Sequence, residues 1–220
     1  MMLYLFDIDG TLVDTGGAGM AALNQATREL FGEDGPPLDL AGSTDLGVVA
    51  TIHAHFQIEP TAVRIKNYFE LYQQRLDWNL AHGGFPGRVF LGVSELLTEL
   101  AARADASIGL LTGNTAGGAA SKLRHFGLAS HFSFGAYGCD RADRNLLGPI
   151  ALERAAAHSG RHFTARDTWV IGDTPKDIAC AHAMGARCLA VSTGHFSADA
   201  LKMKGADRVV ESLTEAIDWI

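Results

Sequence analysis

The chain has 220 residues, 47% of them hydrophobic, and a formal net charge of -7, which suits one sizeable core with a small accessory domain. The acidic balance and the lack of a Lys/Arg run argue against nucleic acid or a membrane surface as partner, and no apolar stretch reaches the roughly 20 residues that span a bilayer. Three cysteines, Cys139, Cys180 and Cys188, at no metal-like spacing, and an N-terminus without a basic leader lead us to expect a reduced, cytoplasmic setting.

In chain order, an apolar run predicts a buried strand over Leu3–Asp9, and Asp7-Ile8-Asp9-Gly10-Thr11-Leu12 closes it. Residues i and i+2 share one side of a strand, so Asp7 and Asp9 bring two like charges together. That is costly unless a cation or a proton separates them. The pair reads as a nucleophile and metal ligand beside a proton-handling acid, or more plainly as a strand end and turn. The next segment, 16–85, contains no strand signal. Met20, Leu23, Thr27 and Leu30 recur at helical spacing, as do Leu46, Val49, Ile52, His53 and Phe56, and then Ile65, Phe69, Tyr72, Leu76 and Leu80. These predict an all-helical cap domain inserted at 16–85 into a core formed by 1–15 and 86–220. Gly16-Gly17-Ala18-Gly19 enters the insert and Gly83-Gly84-Phe85-Pro86-Gly87 leaves it. Such connections suit a hinge, or two ordinary loops.

After the insert, Val93, Leu96, Leu97 and Leu100 mark a helix. Strands follow at Ser107–Thr112, Phe132–Tyr137, Thr168–Asp173 and Arg187–Ser192, with a weaker one at Asp207–Val210. Helical patterns from Ala119 to Phe126, Pro149 to His158 and Asp177 to Met184 separate them. This alternation predicts an α/β fold: a Rossmann-like, doubly wound parallel sheet. Ligands bind such sheets beyond the carboxyl ends of the strands, where Asp7, Asp9, Thr112 and Asp173 fall. Thr112-Gly113-Asn114 is a phosphoryl-oxygen cradle or a helix cap and turn. His53 and His55 diverge on one helix, and Trp78, Trp169 and Trp219 are expected to be packing residues.

Four segments stand in order: Asp7-x-Asp9-Gly10-Thr11, Leu110-Leu111-Thr112-Gly113-Asn114, the basic region Arg141 to Arg144, and Ile171-Gly172-Asp173-Thr174-Pro175-Lys176-Asp177. Over essentially the whole chain this pattern resembles the haloacid dehalogenase-like superfamily, in its phosphoglycolate-phosphatase-like branch with a helical cap. The resemblance implies a Mg²⁺-dependent phosphatase for a small phosphate monoester, phosphoglycolate-like or a sugar phosphate. It implies that Asp7 attacks phosphorus to form an aspartyl-phosphate and that Asp9 is the general acid and base. Asp7, Asp173 and the backbone carbonyl of Asp9 would hold Mg²⁺, with Asp177 serving metal waters or the basic residue. Thr112, Gly113 and Asn114 would hold the phosphoryl group. The family's usual lysine is replaced here, with Arg144 the best substitute and Arg141 second. Lys122 and Lys176 are the remaining stand-ins, Lys176 being expected in solvent. The entry loop Gly16-Gly17 and the inter-helix loop Gly42-Ser43-Thr44-Asp45, with Ser43 and Thr44 foremost, are the cap residues expected near substrate. The second loop reads equally as a helix start with Ser43 or Thr44 as N-cap. A phosphosugar mutase of the β-phosphoglucomutase type and a catalytically inactive binding module are the alternative functions.

Overall fold

A computed structural model describes residues 1–217 and 220; Trp219 lies outside the described residues. The first strand, β1, is Met2–Phe6, followed by the short β2 at Val13–Asp14. Helices α1 (Ala18–Phe31), α2 (Asp45–His55) and α3 (Ala62–His82) come next, and β3 (Arg88–Val89) pairs antiparallel with β2. The remainder alternates: α4 Val93–Ala102, β4 Ala106–Leu111, α5 Ala116–His125, β5 Gly135–Ala136, α6 Leu147–Ser159, β6 Thr168–Gly172, α7 Pro175–Met184, β7 Arg187–Val191, α8 Ala198–Met203 and β8 Arg208–Val210. Six strands form one parallel sheet in the order β5-β4-β1-β6-β7-β8.

The period of two along β1 divides the core. Tyr4 and Phe6 face Leu96, Leu97 and Leu100 of α4 and Leu123 of α5. Leu3 and Leu5 face Leu147 and Ala151 of α6, Ile178 of α7 and Leu201 of α8. Both faces are thus covered, which is why the strands read as nearly continuous apolar runs. The strand predicted over Phe132–Tyr137 shrinks to Gly135–Ala136, because this edge strand has only β4 to pair with and a 3₁₀ turn at Ala129–His131 precedes it. The β2–β3 ribbon and α8 were not foreseen; two- and six-residue elements are too short to show a period.

The three inserted helices bury their own cluster: Ala22, Leu23 and Ala26 of α1, Val48, Val49 and Ile52 of α2, and Tyr68, Tyr72 and Leu76 of α3. The α3 face is turned by one residue from the predicted stripe, since Tyr68, not Phe69, is fully buried and donates its hydroxyl to Leu23 O at 3.0 Å. His53 is buried with its Nδ1 2.8 Å from Val49 O, while His55 is exposed. Trp169 packs in the core under the Arg187 guanidinium. Trp78, expected to pack, is instead 56% exposed on α3.

Candidate active site

The central strands β4, β1 and β6 end side by side, and each carries a polar segment just past its last residue. After β1 the chain turns sharply. Ile8 O accepts from the amides of Leu12 (2.9 Å) and Val13 (3.0 Å), and Gly10 N donates to Val13 O at 3.0 Å. Gly10 sits at φ +82°, and a Cβ there would fall 2.2 Å from Asp173 Oδ2. Only glycine lets the turn lie against that carboxylate. From the opposite side a Cβ at Gly194 would fall 1.8 Å from the same oxygen. Thr11 Oγ1 donates to Asp173 Oδ1 at 3.1 Å.

Asp7, Asp173 and Asp177 form a buried acidic cluster with one oxygen from each within 4.8 Å of the others. Burial and the neighbouring carboxylates raise Asp7 to about 6 and Asp173 to about 8, against the pull of Arg144 on both. The two carboxylates resist ionising together unless a cation joins them, so the donor set fits a hard divalent ion. Asp177 is engaged differently. Its Oδ1 accepts from Arg144 and its Oδ2 accepts from Thr174 N (3.0 Å) and Thr174 Oγ1 (2.7 Å), closing a capping box at the start of α7. Asp177 does not line the cavity, whereas Asp7 and Asp173 do, which leaves those two as the donors that face it.

Arg144, on a 3₁₀ turn at Arg144–Leu146, is almost wholly buried. Nη2 lies 3.1 Å from Asp7 Oδ1, pairs with Asp177 and donates to Leu111 O at 3.2 Å. Nη1 donates to Gly42 O at 3.0 Å. These carboxylates hold the guanidinium firmly charged. Arg141 is exposed and donates to the adjacent Asp140 O. Lys176, expected in solvent, instead reaches the insert, donating to Ser43 Oγ at 2.7 Å and Asp39 Oδ2 at 3.1 Å; the insert loop descends close enough to meet it.

Asp9 meets a different cation. Lys122 Nζ, on the buried face of α5, donates to Asp9 Oδ2 (2.6 Å), Asp9 Oδ1 (2.7 Å) and Asn114 Oδ1 (2.6 Å). Asn114 Nδ2 donates to Asp9 Oδ2 at 2.8 Å and to Thr112 Oγ1 at 2.9 Å. Thr112 is fully buried, and its hydroxyl also pulls Asp7 down. Asn114, read from sequence as a phosphoryl contact, thus spends its amide on Asp9 and Thr112.

The insert closes over this end of the sheet through the residues that begin α2. Thr44 caps the helix, accepting from Gly47 N at 3.2 Å, and donates its hydroxyl to Ala142 O at 2.6 Å. Asp45 N donates to Gly113 O at 2.7 Å, and Asp45 Oδ2 accepts from Thr115 N at 2.7 Å. A Cβ on Gly113 would fall 1.8 Å from Ser43 O, so glycine is required by this close approach. Beneath lies a cavity of about 360 Å³ lined by Asp7, Asp9, Gly113, Asn114, Lys122 and Asp173. From the insert come Gly17, Ser43 and Asp45 together with Met20, Leu23 and Val48. Gly16 and Thr44, expected near substrate, do not line it: Gly16 lies against Pro86 where the chain leaves the inserted helices, and Thr44 is consumed by capping. Asp45, part of the inter-helix loop read from sequence as a substrate contact, does line the cavity, whereas sequence reasoning missed the loop Thr193-Gly194-His195, which also lines it. The loop bears no motif. The one available signal for Lys122 was its place beside Ala119 and Leu123 on a buried helix face, where a lysine needs an acid.

A parallel α/β sheet with paired carboxylates at its central strand ends and a helical insert above defines a hydrolase-type architecture. The chain belongs to the haloacid dehalogenase-like hydrolase family, whose model matches residues 4–191. It is 27% identical to the probable phosphatase IndB of Dickeya dadantii, over 98% of this chain and 91% of that protein. It is 29% identical to a phosphoglycolate phosphatase of Chromobacterium violaceum, over 97% of this chain and 93% of that one. Among solved structures, CbbY from Rhodobacter sphaeroides in complex with phosphate is similar in fold, with TM-score 0.74 at 21% identity, covering 98% and 96% of the two chains.

Proposed function

We propose that the chain is a Mg²⁺-dependent phosphatase that hydrolyses a small phosphate monoester, with segment 16–85 as its cap. The observation that carries this reading is that Asp7, Asp9 and Asp173 line one cavity at neighbouring strand ends. The second aspartate matters most, because an ester formed at carbon needs no acid at that place, whereas a departing alkoxide does. Asp7 and Asp173 are the residues that would hold the cation, which supplies charge neutralisation to the phosphoryl oxygens.

In the chain's own chemistry, an Asp7 oxygen attacks phosphorus and the bond to the leaving oxygen breaks. Asp9 delivers a proton to that oxygen. Asp9 then takes a proton from water, which attacks the aspartyl-phosphate, releases inorganic phosphate and restores Asp7. Arg144 keeps the Asp7 carboxylate oriented and offsets the charge gathered around it. The Gly113 backbone borders the cavity where the phosphoryl group would sit, and the wholly buried Thr112, which accepts from Asn114, supports it from below.

The cavity favours an uncharged, hydroxylated leaving group over one bearing a carboxylate. Lys122 and Arg144 both face acids of the chain, and Asp45 adds a carboxylate on the insert side. Phosphate release from a monoester panel with and without Mg²⁺ tests the proposal. Activity should depend on Mg²⁺ and be greater with polyol or sugar phosphates than with phosphoglycolate. Release that is unaffected by removing divalent cations would overturn the metal assignment.

A further inference from the structure

The geometry points to Lys122 as the positioning residue for Asp9, an inference that rests on the phosphatase reading above. Its side chain is 5% exposed, and lysines are almost never buried without a partner that needs them. An ammonium has three protons. Here its contacts are to the two oxygens of Asp9 and to Asn114 Oδ1, all at 2.6–2.7 Å. Nothing remains on Nζ for a phosphoryl oxygen, so Lys122 is not a second phosphate ligand in this arrangement.

The effect falls on Asp9. Its carboxylate offers about four acceptor sites. Oδ2 accepts from Lys122 and from Asn114, and Oδ1 accepts from Lys122. One site on Oδ1 therefore stays open, on a side chain 43% exposed that lines the cavity. Lys122 and Asn114 together fix the carboxylate plane and decide which oxygen meets the leaving group or the water. Asn114 is itself anchored to Thr112, so Asp9 is held relative to the strand end that borders the phosphoryl position. A misplacement of about 1 Å in such a group costs roughly a hundredfold in rate.

A residue acting through the general acid leaves a signature that a structural strut does not. An alkyl leaving group needs the proton from Asp9; p-nitrophenolate departs without it near neutral pH. Lys122→Gln and Lys122→Arg are to be assayed with ethyl phosphate and p-nitrophenyl phosphate, with folding checked by circular dichroism. We expect Lys122→Gln to lose on the order of 10² in kcat/KM on ethyl phosphate and under about fivefold in kcat/KM on p-nitrophenyl phosphate, because kcat/KM reports the step in which the leaving group departs. This matches Asp9→Asn, with partial recovery in Lys122→Arg, while kcat falls on both esters because the water step also uses Asp9. If Lys122→Gln does not fold, Asn114→Ala removes the other support of Asp9 and should show the same selectivity. Equal losses in kcat/KM on both esters in a folded variant would overturn the assignment and leave the phosphatase reading standing. A wild-type chain that hydrolyses neither ester would overturn both.

Discussion

Arg144→Met removes the cation from beneath Asp7 while keeping most of the side chain's bulk. Arg144 pairs with Asp7 and Asp177, whose side chains are 6% and 0% exposed. Removing one partner of a buried ion pair typically costs about 3–5 kcal/mol, because the remaining charge is left without compensation. At roughly 2–4 °C per kcal/mol for a chain of this size, the melting temperature should fall by roughly 6–20 °C. Arg144→Lys keeps the charge but loses the planar fork that also reaches Gly42 O at 3.0 Å and Leu111 O at 3.2 Å. Two such hydrogen bonds amount to about 2 kcal/mol, or roughly 4–8 °C. Thermal melts of the three proteins should therefore rank wild type above lysine above methionine. Phosphatase activity of the methionine variant should fall on the order of 10²–10³. A methionine variant that melts within about 2 °C of wild type and retains activity within threefold would refute this electrostatic account.

Three further outcomes follow from the same geometry. Burial raises Asp45 to about 6, so the native state holds a proton there that the unfolded chain releases near pH 4, and stability is lost as pH rises between those values. Asp45→Asn should accordingly melt higher than wild type at pH 8, by about 1–2 kcal/mol after allowing for solvent screening, and equal to it at pH 4; a lower melt at pH 8 contradicts the sign. Mg²⁺ added to chelator-treated protein at about a hundred times its Kd should stabilise it by about 2.7 kcal/mol, and Asp173→Ala should abolish that shift in a thermal melt. Asp9→Asn should still release p-nitrophenolate from p-nitrophenyl phosphate in a single-turnover burst but release almost no ethanol from ethyl phosphate, since only the alkyl ester needs the acid, while phosphate release slows with both.

The sheet was legible because every central strand is buried on both faces and interrupted by helices of clear period. Asp7, Asp9, Thr112 and Asp173 were legible because the topology puts strand ends together, whatever the loops do. Arg144 was separable from Arg141 by its position just before a helix, and the structure brings Arg144, not Arg141, to Asp7. Less could be read of what converges from afar. Lys122 meets Asp9 across 113 residues, and Asp45 reaches Thr115 across 70; neither pairing leaves a local pattern. Thr44 shows the reverse problem. Its sequence signal fitted both a helix cap and a substrate contact, and capping consumed it.

The central claim is that Asp7 carries the phosphoryl group. Rapid acid quench during turnover of a monoester with Mg²⁺, followed by peptide mass mapping, tests it most directly. The account predicts one added phosphoryl group on the peptide containing Asp7, absent in Asp7→Asn, which also stops releasing phosphate. Phosphate release that survives Asp7→Asn, or a phosphoryl group mapped to any other residue, would contradict it.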